Sequence, residues 1–217
     1  MHHRFLRHLV SLAALVAIAL WAMGLGAAWA QGKRSLRLVA LGDSLTAGYG
    51  LSPGAAYPAV LQAALRAKGY DVTIINAGVN GDTASGGYQR VDGSVPDGTD
   101  GVIVELGGND MLQNVDPSVT RNALTGIVAR LRQRGIPVML AGVRSLSNRS
   151  VGYVSRFEGI YPALARSYSL VLYSNFLQGV YGNRSLTQAD GIHPNAAGVQ
   201  QMVRASLPSV ERFVSKL

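Results

Sequence analysis

The chain has 217 residues, which suits one domain of ordinary size once a leader is set aside. With 48% hydrophobic and 15% charged residues it can build a real core and is not a disordered chain; with no cysteine it has no disulfides, thiol nucleophiles, thiolate metal sites or cysteine-linked lipid anchor. The formal charge of +8 fits a basic, soluble surface and leaves room for transient contact with an anionic membrane surface. It gives little support to nucleic-acid binding, because Arg130, Arg132 and Arg134 gather at an expected helix end, where cations complement the helix dipole.

Residues 1–30 read as a secretory signal. His2, His3, Arg4, Arg7 and His8 form a basic, polar start, an apolar run follows from Leu9 to Leu25, and Ala28-Trp29-Ala30 supplies a small-residue cleavage site. Cleavage there gives a mature chain that starts at Gln31 and carries a charge of about +6. The apolar run is long enough to span a bilayer, so an uncleaved anchor is the alternative. The expected destination is outside the cytoplasm, in the periplasm or fully secreted.

Residues 31–217 read as a single domain of alternating strands and helices. Leu36 to Leu41, Val72 to Asn76, Val102 to Leu106, Val138 to Gly142 and Leu170 to Tyr173 are short and nearly continuous in apolar character, as strands buried on both faces of a parallel sheet are. A helix is expected over Ala59 to Lys68, stopped by Gly69. Another starts at Asp116-Pro117, turns Leu124, Ile127, Val128 and Leu131 inward and stops at Gly135. A third covers Tyr153 to Ser167. The last runs from Asn195 and bends or restarts at Pro208. This alternation implies an α/β fold with three layers, α/β/α. Ligands of such sheets bind beyond the carboxyl ends of the strands, so the loops after Leu41, Asn76, Leu106, Gly142 and Tyr173 are the ones to inspect.

The first of these loops is Gly42-Asp43-Ser44-Leu45. Ser44 follows a strand and enters a helix, which exposes its hydroxyl and offers backbone N–H groups to an anion. A serine there can be a nucleophile or a plain helix cap, and as a nucleophile it needs a base. Outside the leader the chain has one histidine, His193, so a histidine base must be this one. It lies in Asp190-Gly191-Ile192-His193-Pro194, where Asp190 can accept the Nδ1 hydrogen and turn Nε2 toward the serine. Two loops offer donors for an oxyanion: Asn76-Ala77-Gly78-Val79-Asn80-Gly81-Asp82-Thr83, and Gly107-Gly108-Asn109-Asp110. Asp43 and Asp110 read as turn or helix-cap residues. No cofactor and no metal is expected: one mature histidine without cysteine is a poor transition-metal set, and the glycine loops lack the Gly-Lys-Ser/Thr ending of a phosphate-binding loop.

These four segments, in this order, resemble the SGNH (GDSL) hydrolase family, and most resemble its small exported bacterial branch of thioesterases, lysophospholipases and arylesterases. The similarity runs from about Leu36 to Gly198. The resemblance implies a flavodoxin-like five-stranded parallel sheet of order 2-1-3-4-5. It implies Ser44, Asp190 and His193 as catalytic residues, and the Ser44 N–H, Gly81 (rather than Gly78) and Asn109 as the oxyanion hole. It implies a monomer acting on small-molecule acyl esters or lipids: aryl esters, acyl thioesters or lysophospholipids. Two alternatives stay open, a carbohydrate or cell-wall O-acetyl esterase and a non-catalytic lipid- or glycan-binding module on the same fold. The polar segment Val143 to Tyr153 is expected to border the acyl pocket and to favour short or medium chains. Tyr49, Tyr153, Phe157 and Tyr161 either line an apolar wall or pack in the core.

Overall fold

The computed structural model describes residues 34–145 and 149–217; the expected leader lies outside the described residues. Five parallel strands form the centre: β1 (Leu36–Gly42), β2 (Val72–Gly78), β3 (Gly101–Glu105), β4 (Val138–Ala141) and β5 (Val171–Tyr173). Their order across the sheet is β2-β1-β3-β4-β5, as the family resemblance implies. Eight helices accompany them: α1 (Ser44–Ala47), α2 (Tyr57–Ala67), α3 (Ala84–Ser94), α4 (Gly108–Leu112), α5 (Pro117–Gln133), α6 (Val151–Glu158), α7 (Ile160–Tyr168) and α8 (Ala196–Val214).

The strands read as continuous apolar runs because both faces of the sheet are covered. Successive side chains point to opposite faces. Val39, Leu41, Val102, Val104, Val138 and Leu140 therefore pack against Val91 of α3, Leu124, Ile127 and Leu131 of α5 and Phe157 and Ile160 of α6 and α7. Leu38, Ala40, Ile103, Met139 and Ala141 face the other way, onto Leu61 and Leu65 of α2 and Met202, Val203 and Val210 of α8. Each such leucine is fully buried and stabilises the fold by about 1.5–3 kcal/mol relative to exposure. Local signals start the helices: Asp116 accepts from Ser118 N at 2.8 Å with Pro117 behind it, and Asn195 accepts from Gly198 N at 3.0 Å.

Three elements depart from the sequence reading. The single helix expected over Tyr153 to Ser167 is two, α6 and α7, divided at Gly159. Pro162 lacks the N–H that would bond the Glu158 carbonyl across that point. Pro208 does the opposite of what was expected: α8 passes through it without a restart. Packing of Met202, Val203 and Val210 into the core holds the helix together on both sides of the missing bond. Finally, α3 was not foreseen, because Gly86, Gly87 and Gly93 argue against a helix. A Cβ on Gly87 would run into Leu106, so the glycine lets α3 lie close to the sheet.

Candidate active site

The carboxyl ends of β1, β2 and β3 bring three loops together. β1 ends at Gly42, and Asp43 caps α1 by accepting from Leu45 N at 2.9 Å. This places Ser44 at the first position of a one-turn helix with its side chain largely buried. A Cβ at Gly42 would collide with Thr46 and approach the Glu105 carbonyl to 2.7 Å, so only glycine allows α1 this close to β3.

His193 arrives from the loop before α8. Its Nε2 lies 3.0 Å from Ser44 Oγ, and its Nδ1 lies 2.6 Å from Asp190 Oδ2. The other oxygen, Asp190 Oδ1, accepts the backbone N–H groups of Ile192 and His193 at 2.9 and 3.0 Å. Gly191 takes φ +72° and closes this turn. The His193 hydrogen bond, followed by the Ile192 N–H, draws the Asp190 carboxyl down to about 2, so it is ionised throughout the neutral range. The ring of Tyr49 packs 4.5 Å from the imidazole, centre to centre. Gln188 Nε2 ties the two loops by donating to the carbonyls of Tyr49 at 2.7 Å and Pro194 at 3.0 Å.

Asn109 enters from α4. Gly107, at φ +116°, turns the chain there, and a Cβ on Gly108 would come within 3.1 Å of Asp43 Oδ2. The Asn109 amide donates to the Asp82 carbonyl at 2.9 Å and to Asp43 Oδ2 at 3.2 Å. It thereby joins the β3 loop to the β2 loop, which contains Gly81. Gly81 adopts φ +79° with open space where a Cβ would sit. Gly78 is different: it ends β2, and a Cβ there would meet the Ala47 backbone.

Asp43 does cap a helix, as expected, but it is also buried and touches Asn109. Asp110 caps a helix other than its own: fully buried, it accepts from Ala84 N, the first residue of α3, at 2.8 Å and from Thr120 Oγ1 at 2.9 Å. Sequence reasoning missed two further residues. Arg90, on the unforeseen α3, donates to Asp82 Oδ2 at 2.7 Å and to the carbonyls of Ala77 and Gly42 at 2.9 Å each, pinning the ends of β1 and β2. Glu105 is a fully buried carboxyl beneath α1 that accepts from Thr46 Oγ1 at 2.8 Å. Its only trace in the sequence is an acid inside an apolar strand. Burial pushes the Asp43 carboxyl up to about 6 and the Glu105 carboxyl well above its ordinary range; the Asp43 charge adds to the effect on Glu105.

A cavity of about 70 Å³ opens beside Ser44 and His193, with Leu112, Val143 and Ile192 as its apolar lining. Val143 is thus at the pocket, as expected, while residues 146–148 of that segment lie outside the described residues. Tyr153, Phe157 and Tyr161 pack in the core instead of lining the pocket. A larger cavity of about 450 Å³ lies at the amino ends of β4 and β5, around Pro137, Leu170 and Phe213. It contains none of the serine, histidine and asparagine groups just described.

A serine bonded to a carboxylate-held histidine, beside an asparagine amide on this sheet, has a counterpart among known proteins. The GDSL-like lipase/acylhydrolase family matches over residues 40–201. The chain belongs to this family. Esterase TesA of Pseudomonas aeruginosa is 33% identical over 175 residues, 80% of this chain and 87% of that one. Thioesterase 1/protease 1/lysophospholipase L1 of Escherichia coli is 36% identical over 159 residues, 73% of this chain and 75% of that one. Among solved structures, AlinE4, an SGNH-hydrolase family esterase, aligns with a TM-score of 0.70 at 44% identity over 83% of this chain and 97% of its own. As a member of the GDSL-like family, the chain is a carboxylic ester hydrolase of the serine type.

Proposed function

We propose that Ser44 is the nucleophile of this hydrolase, His193 its general base and acid, and Asp190 the carboxylate that orients His193. The observation that carries this is the relay from Ser44 Oγ through both ring nitrogens of His193 to Asp190, with bonds of 3.0 and 2.6 Å. His193 Nε2 takes the Ser44 proton as Oγ attacks the carbonyl carbon. The Ser44 N–H, the Gly81 N–H and the Asn109 amide hold the oxyanion, each donor contributing on the order of 3 kcal/mol in the transition state. The imidazolium then protonates the leaving alcohol or thiol as its bond to the acyl carbon breaks. Water, deprotonated by the same histidine, attacks the acyl-serine and releases the acid.

Aryl esters, acyl thioesters and lysophospholipids are the substrate classes, on the strength of the relatives' names and the family resemblance. The cavity of about 70 Å³ favours a short or medium acyl chain, with a longer one lying out over the half-exposed Leu112. The protein acts as a monomer after export to the periplasm and cleavage behind Ala30. Turnover of p-nitrophenyl esters from acetyl to palmitoyl tests both proposals. The Ser44→Ala variant should fold and lose about 10³-fold or more of kcat across the series; near-normal turnover contradicts the nucleophile. Wild-type activity should peak between butyryl and octanoyl. A sharp acetyl optimum favours an O-acetyl esterase instead.

A further inference from the structure

Two buried carboxyls lie one strand apart beneath the nucleophile, and the acyl-transfer steps use neither. Asp43 is 2% exposed and Glu105 is 1% exposed. Gly42 of β1 is paired with Glu105 of β3, which sets the next residue, Asp43, beside the Glu105 side chain. The two side chains are in hydrogen-bonding contact. Glu105 Oε2 accepts from Thr46 Oγ1, and the Asp43 N–H also faces this carboxyl, but Oε1 is fully buried and meets no donor. No cation is free to neutralise the pair. Arg90 is committed to Asp82 and to main-chain carbonyls. The other groups that face the pair are Asp82, Asp110 and His193 toward Asp43, and the phenols of Tyr57, Tyr161 and Tyr173 around Glu105. Two touching carboxylates without a cation cannot both be ionised in such a place.

We infer that Glu105 holds the single proton of this pair and donates it from Oε1 to Asp43, and that Glu105 is thereby a positioning residue for the oxyanion donor Asn109. Both N–H groups of the resting Asn109 amide are engaged, one by the Asp82 carbonyl at 2.9 Å and one by Asp43 at a longer 3.2 Å. To hold an oxyanion the amide must turn one N–H away, and the Asp43 bond is the weaker. A buried carboxylate that loses a donor without replacement is costly. The Glu105 O–H and the Leu45 N–H keep Asp43 satisfied when Asn109 leaves it, so the exchange has a low cost. The same proton limits the buried charge facing the developing oxyanion to one.

The inference rests on Asn109 as an oxyanion donor, and its test separates the two. Infrared difference spectra of wild type against Glu105→Gln at pH 7.5 should show the C=O stretch of a protonated carboxyl in the wild type alone. That band needs no turnover, so it survives even if Asn109 proves to have another role. In kinetics, Glu105→Gln supplies an N–H donor in place of the O–H, and its kcat should stay within a few-fold of wild type. Glu105→Leu removes the donor and should lower kcat about tenfold or more at nearly unchanged KM, because the loss falls on the transition state. An absent band in the wild type overturns the shared proton. A Gln variant as impaired as the Leu variant, with both folded by circular dichroism, or a loss confined to KM, overturns the positioning role.

Discussion

Asp190 shows how much one side chain can settle. Its two oxygens divide the work: one accepts the N–H groups of its own turn, the other the imidazole. The result is a single histidine orientation, with Nε2 toward Ser44. Its depressed carboxyl at about 2 has a definite sign in pH. The stabilising contribution of the ionised group is present above its unfolded value of about 3.9 and is lost as pH falls toward 2. Loss of activity in mild acid therefore occurs with Asp190 still ionised. Asp190→Asn should lower kcat/KM by about 10²–10⁴-fold at every pH from 5 to 9, measured with a butyryl ester; recovery at either end of that range contradicts the orienting role. This pair was legible in the sequence because its members share one turn and His193 has no rival outside the leader. Glu105 was not legible: its partner Asp43 lies on another strand, and only the register of β1 against β3 joins them.

At the scale of elements, the site depends on how closely short segments approach one another. α1 is wedged between β2 and β3, and Gly42 and Gly78 make the room. A methyl on Gly78 would press on the Ala47 backbone and sit 2.8 Å from the Asp43 carbonyl. Gly78→Ala should cost about 1–3 kcal/mol of stability by overpacking, seen in urea unfolding, and lower kcat by displacing Ser44. Gly54→Ala, with open space around it, should stay within about 0.5 kcal/mol. Equal effects from the two contradict this account of α1. The strands could be read from the sequence because burial on both faces writes them as apolar runs. α3 could not, since its glycines serve packing against Leu106 and the Asp82 loop rather than helix propensity. Arg90 was hidden along with it. The break at Gly159 and the continuity at Pro208 show the same balance from both sides: a proline removes one bond, and the surrounding core decides whether the helix ends.

For the whole molecule, Ser35–Leu217 forms one compact unit with its polar machinery at the carboxyl edge of the sheet. The proposed leader sets how that unit reaches its substrate. The protein recovered from the periplasm of an expressing Gram-negative cell should begin at Gln31; an intact Met1 in a membrane fraction would favour an anchor. The central claim is that one relay, Ser44 to His193 to Asp190, carries the hydrolysis. The measurement that bears on it most directly is peptide mass mapping of folded protein after a fluorophosphonate probe. One adduct per chain, on Ser44, with labelling slowed at least about a hundredfold in His193→Ala, is the expected result. An adduct elsewhere, no adduct, or labelling of Ser44 indifferent to His193 would contradict it.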